Sequence, residues 1–191
     1  MEKPYKYEKV RFEDSYILMR LNNMVRDFLR SDADILLKMD IDQVYPKDYL
    51  TVMVPLAEQY RLAGPLIYSK RLKYSYPPLL YDDALAPQRD RSTNWSDLIP
   101  EDGILKLNYA HTNLFYCREV LENIKPPWYD VEYSQDNCSL IKKADFCFME
   151  KIIRQGFKTY INTNMVVGHL VEEALTPDIF KRWAKIRCAS I

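Results

Sequence analysis

The chain predicts an α/β protein, helices packed on a central sheet, folded as one domain over residues 1–191. Three observations carry that prediction. Short apolar runs of strand length alternate along the chain with apolar stripes at helical spacing, the pattern of helices packed on a sheet. The first strong run, Ile35-Leu36-Leu37-Lys38-Met39-Asp40-Ile41-Asp42, ends in two carboxylates one residue apart, at the kind of strand end where open α/β sheets bind ligands. A chain of 191 residues, 48% apolar and 28% charged, is long enough to bury one substantial core.

In chain order, Tyr5 to Phe12 alternate loosely as a strand. Glu13-Asp14-Ser15 offers capping groups to a helix with the stripe Ile17, Leu21, Met24, Val25 and Phe28. Arg20, Asn22, Asn23 and Arg26 share that helix and read as mostly solvated, with room for one of them to face the site. Residues 31–34 form a loop, so the helix reads as a crossover leading into a parallel strand. Pro46 sits near the first position of a second helix with Leu50, Met53, Val54 and Ala57 inward, which Pro55 should kink or end. Leu62 to Tyr68 is the next strand. Residues 69–100 are rich in Tyr, Pro, Lys and Arg, carry Trp95 and lack periodicity; aromatic rings among polar groups suit sugar faces as well as protein partners. Ile104 to Tyr109 reads as a strand and Leu114 to Ile124 as a helix, broken by Lys125-Pro126-Pro127-Trp128-Tyr129. Residues 130–142 form a polar loop, and a helix from Ala144 to Gln155 closes on Gly156 as a left-handed cap. Phe157 to Thr163 alternates as a strand, followed by Met165-Val166-Val167-Gly168-His169-Leu170. Thr176-Pro177 opens a last helix with Ile179, Phe180, Trp183 and Ile186 inward.

The bulk numbers exclude several function classes. With 27 basic and 27 acidic residues the formal charge is zero, so no broad basic field attracts nucleic acid. No apolar segment is long enough to span a bilayer, and there is no N-terminal apolar leader, so the expected location is cytoplasmic. Cys117, Cys138, Cys147 and Cys188 lack the paired spacing of a zinc site; Cys117 and Cys147 fall in helical patterns and read as reduced core thiols. Only four glycines are present, so no Gly-rich phosphate loop exists, and this weighs against a nucleotidyltransferase.

The chemical groups are few. In a strand the side-chain period of two places Asp40 and Asp42 on one side, and two hard oxygen donors there suit Mg²⁺ or Mn²⁺, which in turn suit a diphosphate. His169 is one of two histidines and follows an apolar strand and Gly168, which permits close backbone approach. Asp145 falls at a helix start, where an acidic residue also complements the helix dipole.

The order of Met39-Asp40-Ile41-Asp42-Gln43 with Pro46, then Arg118-Glu119-Val120-Leu121, Pro126-Pro127-Trp128-Tyr129, Asp145-Phe146-Cys147-Phe148, Gly156-Phe157-Lys158-Thr159-Tyr160-Ile161 and Val167-Gly168-His169-Leu170 resembles the GT-A-fold glycosyltransferases, especially the family-2-like group, over about residues 18–170. The resemblance implies a GT-A-like domain, a three-layer α/β/α sandwich around a mixed, mainly parallel central sheet, using a nucleotide-sugar donor, UDP- or GDP-linked, a glycan or other hydroxyl acceptor, and Mn²⁺ or Mg²⁺. It implies Asp42 and His169 as direct metal ligands, Asp40 at the ribose or at the metal through water, and Asp145 as the general base. One base opposite the leaving group implies inversion, by analogy with glycosidases. His111, Trp128 and Trp95 become candidates for contact with acceptor or donor sugar. Three departures accompany it. Ala144 stands where the group has Glu, Ala110-His111-Thr112 replaces a G-x-G segment, and the Asp pair comes at residue 40, so the N-terminal βαβ unit reads as short or missing. The alternative is a non-catalytic carbohydrate- or protein-binding module derived from the same fold.

Overall fold

The computed structural model describes residues 6–8, 16–67, 80–81, 100–110, 113–136 and 139–170. The expected strand at Tyr5–Phe12, the segment with Trp95, His111 and the last helix at 176–186 therefore lie wholly or largely outside the described residues.

The elements follow in the order α1 (Ile17–Arg30), β1 (Ile35–Leu37), β2 (Gln43–Val44), α2 (Tyr49–Tyr60), β3 (Leu62–Ile67), β4 (Leu80–Tyr81), β5 (Ile104–Leu107), β6 (Tyr109–Ala110), β7 (Phe115–Cys117), α3 (Arg118–Glu122), β8 (Glu132–Tyr133), β9 (Leu140–Lys142), α4 (Ala144–Arg154) and β10 (Thr159–His169). The chain is thus a mixed α/β protein with a central six-stranded sheet in the order β1-β7-β3-β10-β2, and β5 also pairs with β10. Two small antiparallel pairs, β4 with β6 and β8 with β9, lie off it.

The expectation of a mainly parallel sheet is corrected. Among the described residues only β3 and β10 run parallel in this sheet; β1 with β7, β7 with β3, and β10 with β5 and β2 are all antiparallel. The reason lies in Leu114–Cys117, read from sequence as the start of a helix. Phe115, Tyr116 and Cys117 are instead a buried strand inserted between β1 and β3, and the helix begins only at Arg118. Three consecutive buried apolar residues fit both patterns; tertiary pairing decides. That strand reverses the local direction, so α1 does not serve a parallel crossover.

Smaller differences have equally local causes. Tyr49, not Pro46, is the first residue of α2, and Pro55 stands inside a helix that continues to Tyr60. Pro55 is exposed, so the carbonyl it leaves without an N–H partner can face water. Gly156 is left-handed, φ +87°, just past α4, as the cap pattern predicts. Gly168 is not the glycine of close approach, since a Cβ there would meet Val44 at an ordinary 3.7 Å. Gly64 is: a Cβ there would lie 2.5 Å from Leu114 Cδ2, so any side chain would have to displace the Leu114 methyl beside it. Asn22, read as solvated, clamps Tyr129: its Nδ2 donates to Tyr129 O at 2.8 Å and its Oδ1 accepts from Tyr129 N at 3.1 Å.

The two faces of the sheet carry separate apolar clusters. Leu36, Tyr116, Leu62 and Ile161 join α1, α3 and α4 through Val25, Phe28, Val120, Leu121, Phe148 and Ile152. Ile35, Leu37, Phe115, Ala63 and Val167 join α2 through Tyr49, Met53 and Ala57. Odd and even residues of β1 thus go to opposite sides, as a strand requires. Cys117 and Cys147 are free thiols; Cys117, at the end of β7 rather than in a helix, donates to Ala57 O.

Candidate active site

The Asp40–Asp42 segment is where β1 leaves the sheet and turns back into β2. Lys38 N still donates to Leu114 O, extending the β1–β7 pairing by one residue. Beyond it the turn is gripped from the α2 side by a polar cluster. Asn113 Oδ1 accepts from Asp40 N at 3.3 Å and from the Tyr45 hydroxyl at 2.9 Å. The same hydroxyl lies 3.1 Å from Asp40 O and 3.0 Å from Gln43 Oε1, and Asn113 Nδ2 donates to Gln43 Oε1. Asn113 is fully buried and left-handed at φ +53°, a conformation Asn tolerates better than most residues. Burial holds the Tyr45 hydroxyl above the ordinary tyrosine range, and the charges of Asp40 and Asp42 push the same way. Tyr45 therefore stays a neutral donor beneath the turn.

The β2–β10 pairing brings the second half of the expected site to this turn. His169 lies opposite Gln43, Gly168 opposite Val44, and Leu170 N donates to Asp42 O at 2.8 Å. Asp42 and His169, 127 positions apart in sequence, are thereby cross-strand neighbours in backbone position.

On the other face, the Asp40 carboxylate takes an ion pair from Lys38 Nζ at 3.2 Å. Tyr116, the cross-strand partner of Leu36, is wholly buried there together with Tyr129, both ringed around Phe148 at centroid distances of 5.6 and 4.1 Å. Burial raises both hydroxyls far above their ordinary range, and the charges of Asp145 and Asp40 raise both further. Asp145, half-buried in the first turn of α4, belongs to the helix that packs on this face through Phe148, Met149 and Ile152.

Trp128 packs against the apolar cluster of that side, with its indole nitrogen enclosed and without a hydrogen-bond partner, while Lys151 Nζ donates to the backbone oxygens of Pro127 and Trp128. His111 and Trp95 lie outside the described residues, as does the His169 side chain. Among the described residues no group of three or more His, Cys, Asp or Glu gathers at metal-binding distance. Two shallow clefts, of about 270 and 330 Å³, lie elsewhere, beside Cys147 and beside Cys117. No helix among the described residues is long and apolar enough to cross a membrane.

Sequence reading did not assign roles to Lys38, Gln43, Tyr45, Asn113, Tyr116 or Tyr129. Lys38 alone carried a signal: a charge inside an apolar run, two residues before Asp40 and so on its side of the strand.

No protein-family model matches the chain, and no curated protein matches it. Among solved structures it is similar to the crystal structure of A197 from STIV, with a TM-score of 0.54 and 22% identity over 86% of this chain and 74% of that one. The likeness is one of fold.

Proposed function

We propose that the chain is a metal-dependent glycosyltransferase of GT-A type, moving a hexosyl group from a UDP- or GDP-linked donor to a hydroxyl of a glycan or other acceptor. The observation that carries the reading is the β2–β10 pairing, which sets His169 beside the Asp40–Asp42 turn. Two carboxylates and an imidazole brought to one strand end would offer an O,O,N donor set, whose chemistry suits Mn²⁺ or Mg²⁺. Asp42 and His169 would hold the cation, with Asp40 reaching it through water or holding the ribose. When bound, the cation would neutralise the charge growing on the departing diphosphate.

The rest falls to the chain's own groups. Tyr45, Gln43 and Asn113 fix the turn so that its carboxylates need not reorganise when the donor arrives. Asp145, on the Asp40 side, accepts the proton of the acceptor hydroxyl as that oxygen attacks the anomeric carbon. A single displacement of this kind inverts the anomeric configuration.

The test is sugar transfer and donor hydrolysis with UDP- and GDP-hexoses in Mn²⁺, for the wild type and for Asp145→Asn. The variant should lose transfer while keeping Mn²⁺-dependent donor binding. Transfer that persists in Asp145→Asn removes the base assignment, and a wild type inert toward every donor removes the enzyme reading. His169→Ala should weaken Mn²⁺ affinity; unchanged affinity returns that residue to a structural role.

A further inference from the structure

We propose that Lys38 is a fixed cation of the donor site, contributing a metal-independent grip on the diphosphate. The proposal rests on the donor reading above and deepens it. Lys38 follows β1 in the run that leads to Asp40, on the same side of the sheet as that carboxylate, because residues two apart on an extended chain share a face. Its side chain is only 13% exposed, an unusual position for an ammonium, while the Asp40 side chain is 37% exposed. Lysines are seldom so enclosed unless a partner compensates them. The compensation here is thin. Among the described residues the ammonium meets one oxygen, Asp40 Oδ1, at 3.2 Å, a single contact of moderate length. An ammonium has three donors, so two directions remain open to further acceptors.

A diphosphate supplies what this geometry lacks. Its oxygens are spread over two phosphoryl groups, carry full charge, and accept short charge-assisted bonds from an ammonium without bidentate geometry. The position suits that ligand, since Lys38 belongs to the segment that runs directly into the Asp40–Asp42 turn. Asp40 then has a second role, holding Lys38 in place before an anion arrives and sharing it afterwards. A water-poor setting strengthens the attraction relative to an exposed lysine.

The experiment is calorimetric titration of UDP, GDP and inorganic pyrophosphate into the full chain, once in EDTA and once in Mn²⁺. It compares the wild type with Lys38→Met, Lys38→Arg and Asp40→Asn, each checked for native circular dichroism. The wild type should bind at least one of these diphosphates in EDTA. Lys38→Met should weaken that binding about tenfold or more, and Lys38→Arg should restore most of it. Asp40→Asn releases the ammonium from its partner and should tighten binding of pyrophosphate, which has no ribose for Asp40 to hold, in EDTA, a sign opposite to the effect expected of general damage to the site. If Lys38→Met does not fold, the Asp40→Asn result with pyrophosphate alone decides. Equal affinity in Lys38→Met and wild type, or weaker pyrophosphate binding in EDTA in Asp40→Asn, overturns the proposal. Wild-type binding that is strong in Mn²⁺ and absent in EDTA overturns it while leaving the metal-dependent donor reading intact. Absence of binding in both conditions overturns the two together.

Discussion

The two faces of β1 differ in what lies beyond the strand. On the α2 face, Ile35 and Leu37 lead into a cluster that ends in neutral hydrogen bonds: Tyr45, Gln43 and Asn113 tie down the backbone of the turn. On the opposite face, Leu36 leads to Lys38 and the Asp40 carboxylate, with Tyr116, Tyr129 and the start of α4 beside them. One face is satisfied within itself and holds the turn. The other keeps a charged pair, Lys38 and Asp40, at the strand end, with the carboxylate within reach of solvent. Alternation along a few residues therefore separates a neutral polar cluster from a charged one.

The comparison can be broken on either side. The largest effect should come from Phe148→Ala, which removes the ring between Tyr116 and Tyr129 at a position 1% exposed. The loss should be about 4 kcal/mol by chemical denaturation, with a changed near-ultraviolet dichroism from the two tyrosines. On the other face, Asn113→Ala leaves the Asp40 N–H, the Tyr45 hydroxyl and Gln43 without their shared partner. It should cost about 3 kcal/mol. It should also weaken Mn²⁺-dependent donor binding, which Phe148→Ala should affect less per unit of lost stability.

Alkaline pH probes both faces at once. Tyr45, Tyr49, Tyr116 and Tyr129 are all held above their ordinary values, chiefly by burial. In the unfolded chain they ionise near pH 10, so above about that pH the unfolded state binds fewer protons than the folded one. Stability, full below that pH, should fall as pH rises through it. Tyrosinate absorbance from these four should appear together with the loss of circular dichroism. Ionisation of all four with the fold intact would contradict the burial described. The smallest effect is at the tip of the turn: Ile41, 98% exposed, should tolerate Ser within about 0.5 kcal/mol.

The longer elements were legible because their apolar spacing is clear: α1, α2, α4 with its Gly156 cap, and the runs of β1, β3, β5 and β10 stand near where the pattern puts them. The two- and three-residue strands β2, β4, β8 and β9 were not read, the last two lying in what reads as a polar loop. Phe115-Tyr116-Cys117 was not legible, since three apolar residues before a helix carry no periodicity of their own, and with them went the direction of most of the sheet. At the candidate site, the Asp pair, His169 and Asp145 were singled out by the order of several motifs, none specific alone, and the backbone pairing of β2 with β10 brings His169 to the Asp40–Asp42 turn. Asn113, Tyr45 and Gln43 could not be grouped, because residue 113 meets residues 40–45 only through pairing of distant strands. A supporting polar group has no spacing signature; its partner is chosen by topology.

The central claim is that the Asp40–Asp42 turn and His169 form a cation-dependent diphosphate site. Its most direct measurement is the melting temperature against UDP- and GDP-sugars, each in Mn²⁺ and in chelator, for the wild type and Asp42→Ala. A donor at a hundred times its dissociation constant should add about 2.7 kcal/mol, readily seen as a shift. The account predicts a shift with at least one donor that is larger in Mn²⁺ than in chelator, and an Asp42→Ala chain that loses the Mn²⁺-dependent part. A wild type that no donor shifts, or a Mn²⁺-dependent shift that survives in Asp42→Ala, would contradict it.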